Sequence, residues 1–426
     1  MMKRFILILF FLFLLLTGCS DAEAPTSTSL LEQDLTAVNE DATQLTIACW
    51  VPDMELQLLI NEYNASQSEY QISITYYYDG TEYALDRMNA ELVSGQCPDL
   101  YFLDSMDLDA LQNAGLLLDL YPIMEADTTF NPDDYYMNIW DLFAVDESLY
   151  EFVPCFTLNG MITTSAHLGT NTSWSIETFN QFCEELAPEF QVLNTSRSDM
   201  LTYMTQNALF DYISLSDGIC SFNTPEFEEW LSFIKSFPEY VSDQQPLIRC
   251  GITLGIYDYT TYKSIYQDTP VYIAYPGSGI EGPTASALWS FAISSTTAHS
   301  DACWDFLTSF LSMENQCTYF SGWGFPMSKR AMESELNAAT LAVTDPGFPG
   351  YEQTNQYGSP LIPLDENDIN YLTSLFESID HRLLRSDTIL EIIQDETTAY
   401  FSGDKDAEDV SELVQNRVQI YLSEHH

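Results

Sequence analysis

Trp50 and Asp53, Tyr78 and Asp79, and Asp104 and Asp107 sit at the ends of three apolar runs, 44–50, 70–78 and 98–103. Carboxylates accept hydrogen bonds from hydroxyl groups, and the flat faces of Trp and Tyr pack on C–H surfaces. Such a mixture suits a solute that offers both hydroxyl groups and C–H faces. Reaction chemistry finds little else to use. No nucleophile elbow or Ser/His/Asp spacing occurs, and none of the five lysines follows a glycine, so there is no G-K-[ST] phosphate loop. Five histidines, two of them at the extreme C-terminus, have no ligand spacing with a cysteine, so neither zinc nor any other cofactor is expected. A glycosidase needs only a positioned carboxylate pair, and 64 Asp and Glu leave that option open.

The surrounding pattern says what must position these residues. The run 44–50 (QLTIACW) is β-rich; a Pro-Asp turn and an amphipathic helix over 55–65 follow it. The run 70–78 (YQISITYYY) alternates with period two and reads as a second strand. A helix over 81–94 ends at Gly95, a third strand covers 98–103, and a helix over 107–114 stops at Gly115. Strand, helix, strand, helix, strand at this spacing predicts a parallel α/β sheet with right-handed crossovers. Ligands of such sheets gather at the carboxyl ends of the strands, where the residues named above stand. Other uses for them exist. Trp50 ends a buried strand and could be core, and Asp104 and Asp107 could cap the following helix. Only part of Tyr76-Tyr77-Tyr78 can point inward. The stretch 156–288 reads as mostly helical, with a helix start at Thr224-Pro225 and strand-like runs at 252–256 and 271–275. A Gly/Pro-rich loop covers 276–283, and a further strand-like run covers 288–293. Trp304 lies on an amphipathic helix over 301–311 and is expected in the core, like Trp140, Trp174 and Trp230. Helices broken at Gly403 fill 369–424.

The N-terminus carries a different chemistry. Lys3 and Arg4 precede 12 apolar residues, 5–16, and then Leu16-Thr17-Gly18-Cys19. A membrane span needs about 20 apolar residues, so this run fits the core of a signal peptide instead. The small residues before Cys19 expose the backbone to a peptidase, and the thiol can take a diacylglyceryl thioether. That four-residue pattern resembles a bacterial lipobox. The expectation is a signal peptide over 1–18, a lipid on Cys19, a polar tether over 19–44, and a protein held on the outer face of the cell membrane. Each buried methylene of the lipid would contribute about 0.8 kcal/mol.

Composition narrows the partners. The formal charge is -51, and loss of residues 1–18 takes it to about -53, a surface that repels nucleic acid and anionic lipid. With 46% hydrophobic residues the chain can bury real cores, and its length suits roughly two or three domains. Eight cysteines besides Cys19 are widely spaced without a C-x-x-C, and most sit in apolar runs such as Ile47-Ala48-Cys49-Trp50. Buried free thiols are expected for most of them, although an exported chain could also form bridges.

Several short motifs stand in a recognisable order: Ser94-Gly95-Gln96-Cys97-Pro98-Asp99-Leu100, Asn113-Ala114-Gly115-Leu116, Leu149-Tyr150-Glu151-Phe152-Val153-Pro154, and Trp174-Ser175-Ile176-Glu177-Thr178-Phe179. Asp301-Ala302-Cys303-Trp304-Asp305-Phe306-Leu307 and Gly324-Phe325-Pro326-Met327-Ser328-Lys329 complete it. Together they resemble the extracellular solute-binding proteins (family 1, maltose-binding-protein-like) of carbohydrate ABC transporters, over nearly the whole chain from Leu45 to Glu424. The tail around Ala399-Tyr400-Phe401-Ser402-Gly403 looks like lipoprotein members from Firmicutes. Cys97 before the Pro-Asp and Glu147-Ser148 in place of a Gly turn depart from the pattern. The resemblance implies an α/β, two-lobed periplasmic-binding-protein-like fold (type II) with discontinuous lobes joined by a hinge. The N-terminal lobe would hold 45–156 and 293–335, and the C-terminal lobe 157–292 and 336–424, with crossings near Phe156, Ala292 and Leu336. It also implies a monomer, not an enzyme, that binds a neutral mono- or oligosaccharide and partners a permease and a separate ATPase. Tyr257, Asp258 and Tyr259 align with a ligand-contacting stretch of that family. Trp289 falls on the expected hinge strand, and Trp323 precedes Gly324-Phe325-Pro326. A polyamine or peptide ligand remains an alternative, because an acidic cleft would suit a cation.

Overall fold

A computed structural model describes residues 41–425 except 79, 82, 104–105, 107, 169–172, 187–191, 215–216, 241–245, 356 and 384–385. Cys19, the apolar run before it and most of the expected tether therefore lie outside the described residues, as do Asp79, Asp104 and Asp107. Strand β1 (Thr43–Cys49) pairs in parallel with both β2 (Tyr70–Tyr76) and β3 (Leu100–Phe102). Helices Met54–Ser66 and Ala84–Val93 supply the crossovers. The first helix buries Leu56, Leu59, Ile60 and Tyr63, one face at helical spacing. Gly95, at φ +83, closes the second in the left-handed region that favours glycine.

The chain then leaves this sheet. Phe152 still bridges to Phe291, but β4 (Cys155–Thr164) is the centre of a second, antiparallel sheet. All ten residues of β4 are buried, and it pairs with β5 (Arg249–Thr253), β6 (Pro270–Ile273) and β7 (Thr284–Ser286). Beyond Ser286 the chain returns, and β8 (Phe291–Ile293) joins the first sheet antiparallel to β3. The return crossing therefore lies just ahead of the expected Ala292. A short β9 (Phe325–Pro326) pairs with Cys155–Phe156 at the root of β4. Thr157 Oγ1 lies 2.6 Å from Ser286 Oγ, and Asn159 Nδ2 donates to the same hydroxyl at 2.8 Å, so side chains tie the two crossing strands together.

Two large apolar cores follow these sheets. The first gathers Trp140, Phe152, Phe291, Trp304, Phe306 and Phe310, and runs on to Leu158 and Ile162 of β4. The second gathers Trp174, Phe179, Phe227 and Trp230 with Ile389, Ile393, Val410 and Val414 of the C-terminal helices. Trp140, Trp174, Trp230 and Trp304 are packing residues, as expected. One expected strand is displaced. The run 252–256 contains only the end of β5, because Gly255 at φ +133 breaks the strand and Ile256 opens the helix Ile256–Tyr266. All eight described cysteines are free thiols, three buried and the others half-buried. No helix among the described residues is long and apolar enough to cross a membrane.

Candidate binding site

Trp50 and Tyr78 stand one and two residues beyond β1 and β2, where the backbone pairing continues through Tyr78 N–H donating to the Trp50 carbonyl at 2.9 Å. Their rings lie 5.6 Å apart at 39°, and Tyr78 is 49% exposed. Both therefore sit on the carboxyl edge of the parallel strands. Asp53 follows on that edge but has another task. Its Oδ1 accepts from Leu56 N at 2.8 Å and caps the helix, satisfying one of four amides that every helix start leaves open.

The edge continues past β3. Leu103 N–H donates to the Ser290 carbonyl, and the Trp289 ring meets Phe102 edge-on at 5.3 Å. Trp289 also packs on Phe291 and Phe320 and is only 4% exposed. In this structure its ring packs within the first core. Trp323, half-buried, lies 6.2 Å from Trp289 and carries the aromatic row outward.

The end of β5 meets the row there. A Cβ built at Gly255 would lie 3.2 Å from the Ser321 carbonyl oxygen and 3.3 Å from that of Gly324. The start of the Ile256 helix thus abuts the turn that holds Trp323, and only glycine allows this approach. Tyr257, two residues on, is 37% exposed. Tyr259 is fully buried and donates its hydroxyl to the Pro270 carbonyl at 2.9 Å. Asp258 accepts from Leu254 N at 2.8 Å and braces the strand-to-helix turn. Burial pushes its carboxyl up, and that hydrogen bond pulls it back. Of the described candidates, Trp50 and Tyr78 form one ring pair at the strand ends, Trp323 packs near Trp289, and Tyr257 is partly exposed two residues beyond Gly255, while Asp53 and Asp258 are engaged as hydrogen-bond acceptors. Sequence reasoning missed Gln353, whose Oε1 accepts the Tyr257 hydroxyl proton at 2.8 Å. Nothing local marks a contact made across so long a stretch of chain. Among the described residues no group of His, Cys, Asp and Glu could hold a metal ion.

No protein-family profile matches the sequence, and no curated protein does. Solved structures do. The sugar-binding protein MalE from Xanthomonas citri is similar with a TM-score of 0.60 at 13% identity, over 90% of this chain and 98% of that one. A Listeria monocytogenes ABC substrate-binding protein, solved in complex with cycloalternan, gives 0.57 at 13% identity, over 90% of this chain and 100% of that one. An extracellular solute-binding protein family 1 member from Alicyclobacillus acidocaldarius gives 0.57 at 13%, over 90% and 99%. These are binding proteins, not enzymes. Two sheets joined by crossing strands, a row of rings at the carboxyl edge of one, and this likeness agree: the chain has the two-lobed α/β fold of the ABC-transporter solute-binding proteins.

Proposed function

We propose that this protein is the lipid-anchored, extracellular substrate-binding component of an ABC importer, which binds a neutral mono- or oligosaccharide between its lobes and delivers it to a membrane permease. The observation that carries the sugar is the Trp50–Tyr78 ring pair on the carboxyl edge of the parallel strands, with half-buried Trp323 and partly exposed Tyr257 as further rings. Aromatic rings take the C–H faces of a pyranose, and carboxylates, where present beside them, would take its hydroxyls. Solved structures of the same fold, one of them with cycloalternan bound, support that reading. Closure of two preformed faces on a solute gives the membrane partner a shape to recognise. A cation is the competing ligand, because a formal charge of -51 attracts amines.

A thermal-shift screen separates the two. Maltotriose, cellotriose, xylotriose, chitotriose and their monosaccharides are set against spermidine and a tripeptide. At least one sugar is expected to raise the melting temperature, and Trp50→Ala is expected to weaken its binding by about tenfold or more, some 1.4 kcal/mol. A shift with spermidine or the tripeptide and with no sugar would overturn the carbohydrate ligand.

The anchor has its own test. Protein extracted from the bacterial membrane and fully denatured is expected to titrate eight thiols, because acylation blocks Cys19 while the other eight cysteines are free. Nine reactive thiols, with no lipid mass on the N-terminal peptide, would remove the anchor. In the native protein these thiols are expected to react slowly. Burial pushes Cys183 and Cys220 up to about 11 and Cys250 up to about 12, which suppresses the reactive thiolate.

A further inference from the structure

Tyr257 is held from outside its own helix. The described residues of 343–360 (all but 356), between the helices Lys329–Ala338 and Glu366–Ser378, form a strap that contacts Tyr257 through Gly350 and Gln353. Gly350, at φ +81, faces the ring so closely that a Cβ there would come within 2.6 Å of Tyr257 Cε2 and 2.7 Å of Leu361 Cδ1. Three residues on, Gln353 Oε1 accepts the tyrosine hydroxyl proton at 2.8 Å. The strap is itself pinned just beyond this contact. Asn355 is buried, donates from Nδ2 to Ser264 Oγ on the same helix as Tyr257, and accepts from Tyr357 N and Ser359 N. Arg249 of β5 donates to the Tyr357 hydroxyl at 2.6 Å and sits over that ring. Tyr257 therefore has its hydroxyl engaged, one side against a glycine, and more than a third of its surface open.

We propose that the 343–360 strap is the specificity-determining element of the second lobe, with Gln353 and Gly350 as positioning residues that make Tyr257 a fixed stacking surface. The lobe then selects a solute by an apolar C–H face, and the tyrosine hydroxyl does not take part in reading it. This rests on the carbohydrate reading above and names how one of its contacts works. A ring pre-set by its neighbours loses less freedom on binding than one that must be ordered by the sugar.

A double-mutant cycle tests it, with calorimetric titration of whichever panel sugar the wild-type protein binds. Tyr257→Ala should lose affinity by about tenfold or more. Tyr257→Phe and Gln353→Ala remove the same hydrogen bond from opposite ends, so each should cost about fivefold, and the pair together no more than either alone. Gln353→Glu keeps an acceptor and should bind like the wild type, at an unchanged melting temperature. Additive losses in the double variant would show that the hydroxyl touches the sugar, and an unaffected Gln353→Ala would show that the strap does not set the ring. Either result overturns the inference alone. Failure of every panel sugar to bind the wild type overturns the carbohydrate reading and this inference with it.

Discussion

Lys263→Met is expected to cost the protein about 3–5 kcal/mol, seen as a lower urea midpoint at unchanged slope. Lys263 lies in the helix Ile256–Tyr266, the one that carries Tyr257, and is 5% exposed. Its ammonium donates to Asp365 Oδ2 at 2.8 Å and to Asp368 Oδ2, and Asp368 is completely buried. Those two acids form the capping box of the Glu366–Ser378 helix. Methionine fills the lysine's volume but leaves the Asp368 carboxylate in the interior with no counter-charge. The loss then comes mainly from that stranded charge, not from the ion pair's own strength. It follows that Lys263→Met combined with Asp368→Leu should recover much of what the single change loses. A single change costing under about 1 kcal/mol would mean that water reaches the pair and screens it. Asp365 adds a sign in pH. The Lys263 hydrogen bond holds its carboxyl below the usual range, so its contribution is present at neutral pH and fades as pH falls through that lowered value.

Neither the ion pair nor the strap was legible in the sequence, and the reason is the same for both. Local signals report what a residue's near neighbours demand. The period-two run before Tyr78, the glycine after Val93, and the Thr224-Pro225 start each specify a strand end or a cap within a few residues, and those elements fall where the pattern places them. The parallel order β2-β1-β3 follows from them, because helices between strands force crossovers. Site residues are selected by longer reach. Asp53 and Asp258 have the residue type that a sugar needs, but Asp53 is taken by the open amides of a helix start and Asp258 by the Leu254 amide in the strand-to-helix turn. Tyr259 and Trp289 have the right rings in the right stretches. Helix phase turns Tyr259 inward, and four aromatic neighbours close over Trp289. The cysteines were the reverse case: their apolar settings foretold free, buried thiols, and all eight described ones are free.

Glu335→Gln is expected to change how stability depends on pH, in the sense opposite to the Asp365 contribution. Glu335 lies on the helix Lys329–Ala338, directly after β9, which pairs with Cys155–Phe156 at the root of the crossing strand. Its Oε1 is shut away from solvent and has no hydrogen-bond partner among the described residues. Burial alone pushes its carboxyl from 4.5 up to about 8. The thiols of Cys155 and Cys317, raised first by their own burial, feel the Glu335 charge next, which puts all three groups near one another at the root of β4. A native state that holds this proton gains nothing from it below pH 4.5, where the unfolded chain is protonated too and the stability is fully present. Between pH 4.5 and about 8 the unfolded chain releases the proton and the folded one does not. Stability then falls by about 1.4 kcal/mol per pH unit across that window, roughly 3–5 kcal/mol in all. Glutamine cannot ionise and removes this slope. The amide's own fit is a constant, so the measurement is the difference between two pH values, not either value alone. The variant should match or trail the wild type in urea at pH 4.5 and exceed it at pH 8.5. With 64 carboxylates the whole molecule titrates, and only the difference between the two chains isolates one of them. Parallel wild-type and variant profiles would mean that water or a counter-ion reaches the carboxylate. A real crossover would make this glutamate the place where alkaline pH strains the root of β4, the strand by which one lobe is joined to the other.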